Sequence, residues 1–285
     1  MTKKRLHFQP ITLVCVFTFI FASSTAYPLQ VGAQSPRPVN NTPSRGREHL
    51  NNFVGDSLPL NRKGGGVRFI PPPLSNEAEP GFDEDGRPRK REGGGSRGEC
   101  LVENKPPLTA LVPHTGVGLT VSESPTFLFY VPYTLTPEHS VEFVLKEGEN
   151  YVYQTQIPGR GTSPGIVNFR LPSTTSLDAD KNYDWHFIVY CDSQNKDKFV
   201  FVNGSVRRVE RPELKRQLES ATPLESITLY ATEGIWYEAV TGLAELHRAA
   251  PQDDQLRSNW AGLLQSVGLE RLTSESFVPC CSPKQ

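Results

Sequence analysis

The first chemistry the sequence offers is a serine framed by glycines. Gly94-Gly95-Ser96-Arg97-Gly98 fits the G-x-S-x-G nucleophile elbow of hydrolases. That elbow needs a strand before the serine and a helix after it, whereas this one sits in a Gly/Arg-rich stretch and reads as linker. The triple glycines at 64–66 and 93–95 lack the Gly-Lys-Ser/Thr that completes a phosphate-binding loop. His49, His114, His139, His186 and His247 are scattered, with no H-E-x-x-H and no pair at helical spacing. Glu147/Glu149 and Asp253/Asp254 fall in expected turns, where carboxylates are solvated. Catalytic triads and glycosidase pairs are recognised by geometry rather than by sequence position, so folding alone could assemble one. The residue types therefore predict no catalytic, cofactor or metal residue.

Cysteine chemistry is the other possibility. Of the five cysteines, Cys15 lies in an apolar run at the N-terminus, leaving Cys100, Cys191, Cys280 and Cys281. An even count in an exported protein points to disulfides, and four cysteines allow three connectivities. In an immunoglobulin-like topology the start of the first strand and the end of strand F share one end of the sandwich, which favours a Cys100–Cys191 bridge. Cys280 and Cys281 are left to pair with each other, stay free, or link another chain. A Cys-Cys dipeptide lacks the two-residue spacer of zinc-ribbon and thioredoxin-like sites.

The elements that would position these residues begin after an address. Lys3-Lys4-Arg5 precedes a twelve-residue run, Ile11 to Ala22, broken only by Thr12 and Thr18. Small residues follow, offering cleavage after Ala26 or, preferably, Ala33. A charged start, a short apolar stretch and a small-x-small exit define a secretory signal, and the run is too short to span a bilayer. Residues 1–33 are thus expected to be a signal peptide, placing the mature chain in the periplasm or outside the cell.

Composition divides the remainder. The 285 residues carry a net charge of −1, with 23 Gly and 25 Pro. Residues 34–99 hold 9 of those prolines and 11 of those glycines, too little apolar surface to offset chain entropy. The segment is expected to be a disordered Gly/Pro/Arg-rich linker. Its cluster Arg87, Arg89, Lys90, Arg91 and Arg97 would touch an anionic surface or serve as a solvated spacer. Residues 100–285 then carry 16 basic and 22 acidic residues, without the basic footprint of a nucleic-acid binder.

From Leu108, apolar runs recur between Pro, Gly, Ser, Asn and Asp clusters, the mark of a β-sandwich or barrel. The runs are 108–112, 119–121, 126–131, 141–146, 151–156, 166–171, 183–191 and 199–209. Tyr183, Trp185, Phe187 and Val189 alternate on one face, with His186 opposite. Leu177-Asp178-Ala179-Asp180-Lys181-Asn182-Tyr183 resembles the tyrosine corner of immunoglobulin and fibronectin type III sandwiches. Trp185 stands where antibody domains place a cysteine, so the match is to architecture, and Trp185 is expected in the core.

After Arg211 the period turns helical. Pro212 and Pro223 open two helices, as a first helical position allows. Trp236, Ala239, Val240, Leu243 and Leu246 share one helical face, and Leu256, Trp260, Leu263, Leu264 and Val267 another. Gly234-Ile235-Trp236-Tyr237-Glu238-Ala239-Val240, with Leu243 and Pro251, resembles one tetratricopeptide unit. A single unit makes no binding groove, so a helix–turn–helix packed on the β domain is expected.

Four blocks in order resemble a family of exported cyanobacterial proteins known only as a domain of unknown function. They are Cys100-Leu101 with residues 108–113, Pro125 to Tyr133, Gly234 to Ala239, and Ser266-Val267-Gly268-Leu269. The likeness spans about residues 97–281 and implies an envelope or extracellular protein, with no activity, cofactor or catalytic residue to carry over.

The expected architecture is α+β: a β-sandwich over 100–210, a small helical domain over 211–279, and Tyr183, Trp185, Trp236 and Trp260 as core. The expected function is that of an exported non-enzymatic interaction or scaffolding protein of the envelope, without cofactor, binding an envelope protein or polysaccharide. A hydrolase with its site at the β/α junction is the alternative.

Overall fold

The computed structural model describes residues 66–72, 89–95, 102, 104–192 and 194–280. The signal expectation, Cys100, Cys281 and most of the linker fall outside them.

Alternation of large apolar and polar residues builds two sheets. The larger runs β1 (Gly94–Gly95), β9 (Phe199–Arg208), β8 (Asn182–Tyr190), β5 (Val141–Glu147), β6 (Asn150–Ile157). In it β3 (Val117–Thr120) also pairs with β9, in parallel, Leu119 opposite Arg207. The smaller sheet runs β2 (Thr109–Ala110), β4 (Thr126–Val131), β7 (Gly165–Arg170). Among the described residues neither sheet closes into a barrel. The inward faces meet through aromatics: Phe129 stacks on Phe187 at 3.9 Å and Phe143 on Phe169 at 4.2 Å.

Four helices follow: α1 (Pro212–Leu218), α2 (Pro223–Thr232), α3 (Trp236–Ala249) and α4 (Asp254–Ser266). Prolines occupy the first turns of α1 and α2, Thr222 and Glu225 form a capping box on α2, and the Asp253 carboxylate caps α4. The chain is thus a mixed α+β protein.

Sheets and helices share one core. Trp236 Nε1 donates to the Leu111 carbonyl at 2.8 Å, and Trp185 Nε1 to the Tyr237 hydroxyl at 3.0 Å. The Tyr237 ring lies edge-on to Phe127 at 5.1 Å. This approach requires a bare backbone on β3, since a Cβ on Gly118 would sit 2.7 Å from the Tyr237 ring. Tyr183, Trp185, Trp236 and Trp260 are all buried. The Asp178 N–H donates to the Tyr183 hydroxyl at 3.0 Å, closing the tyrosine corner.

Two stretches of the segment expected to be linker are instead docked on the fold. Val67 and Phe69 are buried, their N–H groups donating to Asn259 Oδ1 at 3.2 Å and Ser266 Oγ at 3.1 Å. Phe69 packs edge-on against Trp236 at 4.9 Å. Gly94 and Gly95 form β1 opposite Phe201 and Val200. Between them, the Arg91 guanidinium donates to the carbonyls of Val267 at 2.6 Å and Gly268 at 3.1 Å, at the C-terminus of α4. The physical reason is that these contacts use backbone groups and a few anchors, which composition does not register.

Candidate functional site: a groove between sheet and helices

Sheet and helices border a groove of about 610 Å3. Its β side is fixed by the β3–β9–β8 ladder, which sets Arg207 between Leu119 and Asn182. Val209 and Arg211 continue the chain from β9 towards α1 and also line the groove. Asp180 faces it from the corner ahead of β8, held at φ +60° with its N–H donating to the Arg208 carbonyl at 2.7 Å.

The opposite wall is the docked stretch 66–72, contributing Phe69, Pro71 and Pro72. Its seat is the turn between α2 and α3. There Gly234 has φ +73°, and a Cβ would stand 2.8 Å from Pro72 Cδ. Left-handed backbone and close approach both demand glycine here. Ser266 and Val267, at the end of α4, complete the wall. The Ser266 hydroxyl is committed: it donates to the Leu263 carbonyl at 2.6 Å and accepts from the Phe69 N–H.

The charges in the groove differ in how they are held. Arg211 is exposed, and one of its terminal nitrogens donates to the neighbouring Glu210 carbonyl at 3.3 Å. Arg207 Nε is buried and has no hydrogen-bond partner among the described residues. Asp180 is the only carboxylate among the described lining residues, and His114 stands exposed at the rim.

Buried polar groups elsewhere hold the fold. The Glu238 Oε1 accepts from Thr120 Oγ1 at 2.6 Å and from the N–H groups of Val121 and Ser122 at 3.2 and 3.0 Å. Burial pushes its carboxyl above the usual range, against the opposing effect of these bonds. Burial likewise raises the Tyr237 hydroxyl. Arg89 Nε donates to Ser205 Oγ at 2.9 Å, and that hydroxyl donates to Asp184 Oδ1, tying the stretch before β1 to β9 and β8. On the outer sheet face, burial pushes Glu142 up, but bonds from Tyr190, Gln154 and Gln156 and the charge of Lys196 leave it below the usual range.

The residues singled out by sequence are dispersed. Of the histidines only His114 lines the groove; His247 packs near Trp260 and Phe277, where burial and Arg257 push it down. Cys191 follows β8, its sulfur 4.0 Å from the Val189 carbonyl, and neither it nor Cys280 is free. Ser96 to Gly98 of the elbow-like string lie outside the described residues. Arg207, Arg211 and the 66–72 wall carried no sequence signal beyond the short spacing of the two arginines.

Among the described residues no group of three or more His, Cys, Asp or Glu is placed to hold a metal, and no helix is long and apolar enough to cross a membrane. No curated protein and no solved structure matches the chain. A family model does, over residues 92–277. That span takes in β1, both sheets and all four helices, and on it the chain belongs to the family described as Domain of Unknown Function (DUF928).

Proposed function

We propose that the protein is an exported, non-enzymatic interaction or scaffolding protein of the cell envelope, and that it binds its partner in the groove between sheet and helices. Residues 1–33 serve as a signal peptide, the rest of 34–99 is a linker, and the mature chain works in the periplasm or outside the cell. The β part is an immunoglobulin-like sandwich: β8 and β9 are strands F and G, β5 is strand C, and β2-β4-β7 is the opposing sheet. The tyrosine corner and the strand order support this reading. Cys100 bridges Cys191; recovery of both as separately alkylated thiols in non-reducing peptide mapping would reject that pairing.

The carrying observation is the groove itself, about 610 Å3, within the size range of ligand sites. About half of its described lining is apolar, with three prolines, four aliphatic side chains and Phe69. An envelope hydrolase at the same junction is the competing reading. The Ser266 hydroxyl there is already engaged at both its donor and an acceptor position, which favours binding.

Affinity capture from the source envelope tests this, using the full chain and an Asn182→Trp variant. Asn182 is exposed at the start of β8, where an aromatic is compatible with a strand and would fill the groove. A partner captured by the wild type and lost by the variant is expected. Capture of nothing, or of a partner indifferent to the variant, rejects the groove as the binding site.

A further inference from the structure

We infer that the groove takes an acidic, apolar-flanked polypeptide segment of a partner protein; this rests on the binding role proposed for the same groove. The body is acidic, 16 basic against 22 acidic residues from position 100 onward, yet among the described residues of the groove Arg207 and Arg211 face a single carboxylate, Asp180. The local charge is therefore opposite in sign to the charge of the body, which is complementarity towards an anion.

Arg207 sharpens the assignment. Buried donors in folded proteins are hydrogen-bonded with few exceptions, and its Nε has no partner among the described residues. A guanidinium presents its donors in a planar fork that matches a carboxylate in two parallel bonds. A carboxylate entering beside Asn182 and Leu119 would supply the missing acceptor. Arg211, four residues on and exposed, would take a second carboxylate or steer the first.

The remaining walls choose between anionic polymers. Phe69, Pro71, Pro72, Pro113, Leu119 and Val209 are apolar, and proline rings hold a surface at little entropic cost. A sugar chain exposes hydroxyls on every residue and would leave many of them unpaired against such walls. A peptide alternating acidic and aliphatic side chains satisfies both features, its carboxylates on the arginines and its apolar side chains on the proline wall.

Fluorescence anisotropy on the full chain tests this with a labelled octapeptide alternating glutamate and leucine. The lysine–leucine counterpart is the control, and unlabelled polygalacturonate is the anionic glycan competitor. The glutamate peptide is expected to bind, to weaken as salt rises from about 50 to 200 mM, and to lose about tenfold in affinity with Arg207→Gln. Arg211→Gln, at an exposed position outside any strand, is expected to cost severalfold, and it keeps the test decisive if the Arg207 variant does not fold. Equal binding of the lysine peptide, or an affinity unchanged in Arg211→Gln, overturns the inference. So does a glutamate peptide that shows no measurable binding while polygalacturonate raises the melting temperature of the full chain. If Asn182→Trp abolishes native-partner capture while the glutamate peptide fails to bind, the groove remains the binding site and only the acidic-peptide assignment falls.

Discussion

Glu238 shows how much a single buried carboxyl contributes to holding the helices on the sheet. It collects a hydroxyl and two backbone N–H groups from the end of β3, while its other oxygen is buried with no partner. Since burial raises its pKa, the neutral form is favoured more in the folded than in the unfolded state. That contribution to stability is complete below the ordinary carboxylate range, about pH 4.3, and is lost as pH rises through the folded value. Glu238→Gln keeps the acceptor and removes the titration. Its melting temperature is expected to match the wild type at low pH and to exceed it at neutral pH. Parallel melting curves across that range would reject the assignment. Glu238→Ala should instead destabilise at every pH, by about 1–3 kcal/mol for each donor left dry. Tyr183→Phe is a milder case: it removes the acceptor of the Asp178 N–H while keeping the ring, and about 1 kcal/mol is the expected loss in denaturant unfolding.

The two docked stretches, 66–72 and 89–95, behave as elements although neither is a long strand or helix. Arg91 neutralises carbonyls at the C-terminus of α4, where a cation also complements the helix dipole, and Val67 and Phe69 each bury an apolar side chain worth about 1.5–3 kcal/mol. A chain beginning at Cys100 is therefore expected to be several kcal/mol less stable than one beginning before position 66. Arg91→Ala should recover about 1–3 kcal/mol of that difference in the longer chain. Equal midpoints and slopes in urea for the two chains would show that the stretches contribute nothing. These are the elements the sequence hides. The strands and helices themselves are legible: the run 126–131 is β4 residue for residue, and the runs 141–146 and 199–209 differ from β5 and β9 by one residue at the end. Periodicity reports side chains, and those elements bury side chains. Gly94 and Gly95 pair through backbone alone, so nothing in their residue type distinguishes them from a spacer. The parallel pairing of β3 with β9 is hidden for a similar reason, as Leu119 and its partner Arg207 stand 88 positions apart and no local pattern links them. The groove inherits both difficulties, because β3, β9 and the docked stretch meet only in three dimensions.

At the scale of the whole molecule, the β and helical parts have a common interior, and the smaller cluster of Val209, Leu214 and Ile235 also draws on both. Trp236 and Tyr237 open α3, yet their partners are the Leu111 carbonyl and the Trp185 indole of the sheets, and Phe127 touches both Trp185 and Tyr237. Trp260 and Leu263 of α4 belong to the same continuous cluster as Phe143 and Val202 of the larger sheet. Removing the helices would bare the aromatics of the sheets to water and orphan the Trp185 N–H and the Leu111 carbonyl, a cost of several side chains' burial. Such a loss is comparable with the 5–15 kcal/mol that stabilises a typical domain. Residues 100–210 alone are thus expected not to fold, and the full chain to melt in one step despite its two kinds of architecture. Calorimetry measures this directly: the calorimetric enthalpy should equal the van't Hoff enthalpy. Two resolved transitions, or a folded 100–210 fragment with a native near-ultraviolet aromatic signal, would mean that sheet and helices are separable and that the groove lies between independent bodies. A single transition means that ligand bound in the groove stabilises sheet and helices together, so occupancy can be read as a rise in one melting temperature.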